Sequence, residues 1–268
     1  MSARRTVVVT GAAAGIGEAI ARRLLADGWH VVALDTDADG LDALARGETA
    51  LVPLVGDVTE TATLAAAVAA AGARLDGWVN NAAIPTHGRF DAESDERIDR
   101  TLAVNLRAPL LGCREAVRAF LRQGAPGAIV NVSSIHAHGT LPGWVAYAAA
   151  KGGVEALTRG VCVEYGQLGI RCNAVAPGAV LTAATRAMLD AAGDPAAELA
   201  GWELLSPMRR VLEPADVAAG VAFLLSPEAR HLNGHVLRID AGMSSTGATL
   251  PPLDGLEPPT GAEPEGAR

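Results

Sequence analysis

A tyrosine and a lysine spaced four positions apart are the residues of this sequence best placed to do chemistry together. Lys151 is the only lysine among 22 basic residues, and Tyr147 is one of two tyrosines. On a helix, side chains at i and i+4 share a face with Cβ atoms about 5–6 Å apart, so the ammonium could act on the phenol. A cation lowers the pKa of a nearby tyrosine from its usual value of about 10. The pair could then exchange a proton with an alcohol or carbonyl oxygen, and an ordinary helical contact is the alternative.

A glycine-rich turn near the start of the chain predicts a dinucleotide site. The β-branched run Thr6–Thr10 reads as a buried strand, and residues 18–26 read as a helix. Between them, Gly11 permits a tight turn, Gly15 lets backbone approach a pyrophosphate, and Gly17 allows close packing. The helix N-terminus offers unpaired N–H groups and the positive end of the dipole. A plain strand-to-helix turn is the alternative interpretation.

Asp35, at the end of the next predicted strand, indicates which dinucleotide would bind. Its carboxylate could accept hydrogen bonds from the adenosine ribose and would repel a 2′-phosphate, which favours NAD over NADP. Ala14 in the glycine turn adds no positive charge to offset this. Asp35, Asp37 and Asp39 all precede the next helix and could cap it. We assign the cofactor role to Asp35 and capping to one of the other two.

Further strands alternate with helices, which predicts a single α/β domain built from parallel βαβ units over residues 1–243. These strands span residues 51–55, 77–80, 128–132, 170–175 and 236–239. Asp57 follows the third strand and could reach the adenine amine, and Thr59 is a predicted helix N-cap. Residues 94–121 read as one long helical stretch, in which Asn105 offers an amide or bends the helix.

Composition argues against several classes of protein and of site. A net charge of −8 and a pI of about 5.3 argue against a nucleic-acid binder. No apolar run approaches the length of a membrane span and no signal-peptide pattern opens the chain, so we expect a cytoplasmic protein. Three widely spaced cysteines fit reduced, buried residues better than disulfides or a metal site. The proline- and glycine-rich stretch over residues 244–268 predicts a disordered tail.

With these motifs in view, the sequence resembles the short-chain dehydrogenase/reductase superfamily in its single-domain branch, over about residues 6–242. The family's TGxxxGxG motif is similar to residues 10–17, and its NNAG motif to residues 80–83, where alanine replaces the final glycine. Its catalytic serine lies thirteen residues before its tyrosine, which selects Ser134 over Ser133. Its helix asparagine falls on Asn105, and its PG motif on Pro177 and Gly178.

The resemblance implies a Rossmann-like, doubly wound sheet of about seven parallel strands, and an assembly into homo-tetramers or dimers. It implies that Tyr147 is the acid/base, that Lys151 lowers its pKa and holds the nicotinamide ribose, and that Ser134 polarises the substrate oxygen. It further implies that Asn105 holds a water linking Lys151 to solvent. The residues expected at the cofactor are Gly11, Ala14, Gly15, Ile16, Gly17, Asp35, Asp57, Val58, Asn81, Ala82, Ala83, Tyr147, Lys151, Pro177, Gly178, Val180 and Thr182.

The substrate pocket is expected between residues 134–144, residues 84–88 and a short helical lid at about 182–210. Candidate substrate contacts are His136, His138, Trp144 and Trp202. Each of the two histidines could instead face solvent, and no nearby carboxylate or cysteine cluster makes them a metal pair. The lid also offers apolar side chains, namely Met188, Leu189, Leu204 and Met208.

Three functions are consistent with these residues. The first is an NAD-dependent dehydrogenase or reductase of a small secondary alcohol or ketone. The second is an NADP-dependent reductase of 3-oxoacyl chains on a carrier, which Asp35 and the lack of a basic cluster disfavour. The third is a catalytically silent nucleotide-binding regulator, which would tolerate loss of Tyr147 or Lys151, yet both are present.

Overall fold

A single parallel sheet organises the chain. The structure is a computed structural model that describes residues 4–246. Its strands are β1 (Thr6–Thr10), β2 (His30–Asp35), β3 (Leu51–Val55), β4 (Gly77–Asn80), β5 (Ala128–Val132), β6 (Arg171–Pro177) and β7 (Val236–Ile239). They pair in parallel in the order β3-β2-β1-β4-β5-β6-β7, which confirms the predicted Rossmann-like sheet.

Helices cover both faces of this sheet. They are α1 (Gly15–Ala26), α2 (Ala38–Ala45), α3 (Thr61–Ala70), α4 (Asp95–Leu102), α5 (Ala108–Gln123), α6 (Val145–Tyr165), α7 (Ala183–Asp190), α8 (Pro195–Glu203) and α9 (Pro214–Leu225). Because side chains alternate along a strand, β1 sends Val7 and Val9 into the core beneath α1 and α9, and Val8 into the core beneath α3 and α5. The domain is therefore doubly wound, with one apolar core on each side.

The long helical stretch predicted over residues 94–121 is continuous but not uniform. Between α4 and α5, residues Ala103–Arg107 form a π-helical turn, a widened geometry that is frequent at functional sites. Asn105 sits in this turn, fully buried. Its amide donates to the Ile84 carbonyl and accepts from the Ile84 N–H, both at 2.9 Å. The helix thus holds the segment that follows β4.

Of the two helix-capping predictions, the one for α2 is confirmed and the one for α3 is wrong. Asp37 caps α2 by accepting a hydrogen bond from the Gly40 N–H at 3.1 Å, which leaves Asp35 free for another role, as predicted. The prediction for Thr59 is wrong, since α3 begins at Thr61 and its N-cap is Glu60. The Thr59 hydroxyl instead donates to the Asp57 carboxylate at 2.7 Å, which fixes that carboxylate at the sheet edge.

The predicted lid is built from two short helices, α7 and α8, and Thr182 caps α7 through a reciprocal bond with Thr185. Beyond the lid, Met243–Ser245 forms a short helical turn that includes the first residues of the expected tail. Residues 247–268 of that tail lie outside the described residues. Within residues 4–246, no helix is long and apolar enough to cross a membrane. Cytoplasmic location and assembly into oligomers stay predictions.

Close contact between α5 and β4 depends on Gly112. A Cβ at this position would overlap the Asn80 amide oxygen and lie 2.8 Å from the Trp78 indole nitrogen. Asn80 cannot move aside freely, because it accepts from Trp78 at 2.7 Å and donates to Asn131 at 2.8 Å inside the core. Gly160 on α6 is a natural contrast, since it is exposed and has nothing within 4 Å of its would-be Cβ.

We therefore expect opposite effects from one chemical change at two helical glycines. Gly112→Ala should lower the free energy of unfolding by about 1–3 kcal/mol through overpacking. Gly160→Ala should leave it unchanged or raise it by up to about 1 kcal/mol, because alanine favours a helix. Urea denaturation followed by circular dichroism measures both. Equal effects from the two substitutions would contradict the packing described here.

Candidate active site

A cleft of about 1330 Å³ opens at the carboxyl ends of the strands. It lies where the order of the sheet reverses between β1 and β4, which is where parallel α/β folds bind their ligands. Every residue predicted to contact the cofactor borders it, and so do the four candidate substrate contacts His136, His138, Trp144 and Trp202. Of the predicted catalytic residues, Ser134, Tyr147 and Lys151 border it and Asn105 does not. Sequence spacing therefore identified residues that the fold brings together.

The glycine turn has the geometry of a phosphate cradle. Gly11 and Gly15 have positive φ angles of 65° and 59°, which side chains adopt only with strain. A Cβ on Gly17 would overlap the Gly11 carbonyl oxygen, so the helix can start this close to the strand only with glycine there. No side chain caps the N-terminus of α1, so its first N–H groups are free to bind an anion. These residues fit a dinucleotide pyrophosphate.

Asn81 stabilises this turn by hydrogen bonds. Its amide donates to the carbonyls of Thr10 and Gly11 at 2.9 and 3.0 Å. Its backbone N–H donates to the Thr10 hydroxyl at 3.0 Å. The predicted cofactor residue therefore lines the cleft and also uses its side chain to join β4 to the turn after β1.

Asp35 binds the protein backbone and also keeps free hydrogen-bond acceptors. One carboxylate oxygen accepts from the Ala13 N–H at 3.0 Å, and the other accepts from the Asp37 N–H at 3.1 Å. A carboxylate can accept about four hydrogen bonds in all, so acceptor capacity remains toward the cleft. A ribose hydroxyl is a hydrogen-bond donor of the kind that this remaining capacity can accept.

Asp57 is held in place as an anion by contacts that the sequence did not indicate. Partial burial acts against its ionisation, but hydrogen bonds from Thr59 and the nearby Arg100 guanidinium outweigh it and lower the pKa of Asp57. Arg100 reaches the carboxylate from α4 at 3.2 Å. Arg100 also borders the cleft and was missed, because a pair separated by 43 positions leaves no local pattern.

Lys151 is almost completely buried, with 2% of its surface exposed. Its ammonium donates to the Val132 carbonyl at the end of β5, at 2.8 Å. Burial disfavours the charged form and lowers the pKa of Lys151 to about 8. The nitrogen lies 5.5 Å from the centre of the Tyr147 ring, so the two side chains share a face of α6 as predicted.

The electrostatics of Tyr147 differ from the expectation. Burial raises the pKa of Tyr147 to about 12, and a hydrogen bond with Ser134 opposes this rise. The ammonium of Lys151 is directed to a carbonyl oxygen, and it does not overcome the loss of solvation around the phenol. Tyr147 is therefore a phenol at neutral pH, ready to donate a proton. Ser134, and not Ser133, is the serine in contact with it.

A wall of aromatic rings extends from Tyr147 along one side of the cleft. The His136 ring stacks on Trp144 with centroids 4.9 Å apart and meets Tyr147 edge-on at 5.8 Å. His136 is thus packed inside the wall rather than facing solvent, and burial lowers its pKa, so the ring is neutral at pH 7. His87 packs against the other side of Trp144 at 5.2 Å and also lines the cleft, although the sequence did not single it out.

Two of the five lid side chains predicted for the pocket border the cleft. Met188 and Trp202 border the cleft, and the Trp202 indole donates to Glu198 at 2.9 Å. Leu189 is buried against the domain, so it does not line the cleft. Leu204 and Met208, which follow the end of α8 at Glu203, are exposed and also lie outside the cleft. Among residues 4–246, no group of three histidine, cysteine or acidic side chains is arranged to hold a metal ion.

Comparison with known proteins agrees with this geometry. A family model described as enoyl-(acyl carrier protein) reductase matches residues 11–244. The chain is 39% identical over 248 residues to 3beta-hydroxysteroid dehydrogenase 1 of Eggerthella lenta, covering 90% of this chain and 94% of that protein.

Solved structures give the same result. The crystal structure of levodione reductase is 34% identical, with a TM-score of 0.85, and the match covers 90% of this chain and 98% of that one. A variant of actinorhodin polyketide ketoreductase, solved with NADPH, is 27% identical with a TM-score of 0.86, covering 91% and 98%. The chain therefore belongs to the short-chain dehydrogenase/reductase superfamily, a family of NAD(P)-linked oxidoreductases.

Proposed function

We propose that this protein transfers a hydride between NAD and a secondary alcohol or ketone, with Tyr147 as the acid/base. The observation that carries the proposal is that Ser134, Tyr147 and the buried Lys151 border one cleft, with the Lys151 nitrogen 5.5 Å from the centre of the Tyr147 ring. Two hydroxyls that face one open space can both hold the oxygen of a carbonyl or alcohol. The glycine turn borders the same cleft, so a cofactor seated there would share it with the substrate.

Side chains of the protein would transfer the proton that the reaction requires. In the direction of reduction, the Tyr147 phenol gives its proton to the carbonyl oxygen while Ser134 holds that oxygen by a hydrogen bond. The tyrosinate left behind is stabilised by the Lys151 ammonium on the same helix face, and solvent then restores the proton. The water-holding role of Asn105 stays a prediction, since its amide is bonded to Ile84 and it does not border the cleft. When bound, the nicotinamide supplies the hydride that adds to the carbonyl carbon, and oxidation reverses each transfer.

The cleft also bears on the choice of substrate. Its substrate side is formed largely by rings and apolar side chains, among them Ile84, Leu141, Trp144, Met188 and Trp202. The arginines that border the described cleft are Arg100, which pairs with Asp57, and Arg238. This lining favours an uncharged substrate with an apolar body over an acyl chain on an acidic carrier. A panel should therefore include levodione and a 3β-hydroxysteroid beside simple secondary alcohols, polyols and hydroxy acids.

Replacing Tyr147 tests the catalytic role. Tyr147→Phe removes the exchangeable proton while keeping the ring, so we expect turnover to fall at least about 100-fold. NADH affinity should change by less than about threefold, because the ring still packs beside the cofactor site. Steady-state kinetics and a fluorescence titration with NADH measure the two quantities.

Tyr165→Phe is the matched control, since Tyr165 lies on the same helix and does not border the cleft. It should leave both turnover and affinity unchanged. Full turnover in Tyr147→Phe would remove the proposed mechanism, whereas absence of turnover in every variant would favour a silent nucleotide-binding role.

The low pKa of Lys151 predicts a pH limit for reduction. Below about pH 8 the side chain is an ammonium that stabilises the tyrosinate, and above about pH 8 this charge is lost. We expect kcat for ketone reduction to fall by about tenfold per pH unit beyond that point. Arginine stays charged throughout this pH range, so any residual activity of Lys151→Arg should not decline above pH 8. A flat profile from pH 6 to 10 in the wild-type protein would contradict the assignment.

Asp35 provides a test of cofactor choice. Asp35→Ala removes the carboxylate that would repel a 2′-phosphate, so the ratio of NADP to NAD efficiency should rise by at least about tenfold. Both affinities should weaken, because Asp35 also braces the Ala13 backbone. Asp37→Ala is the control, since it removes a neighbouring charge that caps α2 outside the cleft. An unchanged ratio in Asp35→Ala would show that another residue sets the preference.

A further inference from the structure

Glu155 is a buried carboxylate that the proposed mechanism does not use. It lies one helical turn beyond Lys151 on α6 and has 4% of its surface exposed. Its Oε1 accepts a hydrogen bond from the Ser133 hydroxyl at 3.0 Å and lies 3.0 Å from the His138 Nε2. A carboxylate is costly to bury unless such partners replace water, so these two contacts are what keep it inside.

The two partners of Glu155 flank the catalytic serine. Ser133 and His138 lie on either side of the short helical turn that Ser134 begins. The same hydroxyl lies 3.3 Å from the Lys151 carbonyl of α6, so its single hydrogen is shared between that oxygen and Glu155. One oxygen of Glu155 therefore fastens both ends of the turn to the helix that carries Tyr147 and Lys151.

The interior of this turn holds the serine hydroxyl less firmly. Within it, the His136 N–H donates to the Ser134 Oγ at 3.2 Å, and the Ala137 N–H donates to the Ser134 carbonyl at 3.0 Å. These are local bonds, and neither joins the turn to α6. The contacts made by Ser133 and His138 supply a polar connection to α6, beside the packing of the His136 ring against Tyr147. We call the two contacts of Glu155, with Ser133 and with His138, the clamp. His138 can donate from Nε2 to the carboxylate both as a neutral imidazole and as an imidazolium, so the clamp does not require a particular charge state.

We propose that Glu155, through Ser133 and His138, is a positioning residue that holds the Ser134 hydroxyl against Tyr147. It touches neither the cleft nor the reacting atoms, so its effect passes through Ser134. A catalytic hydroxyl displaced by about 1 Å can cost up to about 100-fold in rate. The inference rests on the proposed function, because it assigns Ser134 a part in turnover.

The first test follows the turn itself and needs no substrate. Hydrogen–deuterium exchange, read by mass spectrometry, should increase at least about tenfold over residues 133–140 in Glu155→Ala. Glu155→Gln keeps an oxygen that can accept both bonds, so it should restore protection of the turn. The exposed Glu164 on the same helix is the matched control, and Glu164→Ala should leave the turn unchanged. Unchanged exchange over residues 133–140 in Glu155→Ala would overturn the proposal. If Glu155→Ala does not fold, His138→Ala releases one end of the clamp and replaces it in the same comparison.

The second test separates positioning from general stability. With active sites counted by NADH titration, Glu155→Ala should lower kcat on the best panel substrate about 10- to 100-fold, and Glu155→Gln should stay within about threefold of wild type. In a Ser134→Ala background, Glu155→Ala should cost less than about threefold further, because its target is gone. Additive losses would overturn the inference while leaving the proposed function intact. Normal turnover by Ser134→Ala alone would instead contradict the proposed function.

Discussion

The burial of a single ammonium constrains the geometry of the whole site. Lys151 is almost completely buried, so its ammonium needs a buried acceptor, and the Val132 carbonyl at the end of β5 provides one. This bond fixes α6 against the sheet at the point where β5 leads into Ser134. Tyr147, one turn earlier on α6, is thereby brought to the serine hydroxyl. The same burial lowers the pKa of Lys151 to about 8, which places its proton exchange near neutral pH.

The parallel sheet gathers the remaining parts at one edge. All its strands end on the same side, so the residues that follow β1, β2, β4, β5 and β6 surround one cleft. At the reversal between β1 and β4, the Asn81 amide binds the backbone of the glycine turn and holds two separate βα connections together. Close approach of Gly17 to Gly11 leaves the N-terminus of α1 open to an anion. The cofactor half of the site thus depends on backbone packing, and the catalytic half depends on buried polar contacts.

Local patterns in the sequence were sufficient for the strands, the glycine turn and the spacing of Tyr147 and Lys151, because these depend on neighbouring residues. Contacts between distant segments could not be predicted in this way. The Asn105 amide is bonded to Ile84, and Asp57 is paired with an arginine from α4. The direction of the Tyr147 pKa shift also required the structure, because a charge four positions away is visible in a sequence and the extent of burial is not. The pairing of Glu155 with a loop histidine belongs to the same class of non-local contact.

Hydride transfer from the substrate carbon to the cofactor can be followed with a deuterium label. The protein would be given NAD and a panel alcohol deuterated at its carbinol carbon, and the NADH formed would be analysed by mass spectrometry. We expect each turnover to place one deuterium on the nicotinamide ring. Oxidation of the alcohol with the deuterium released to water, or NADH that carries no label, would contradict it.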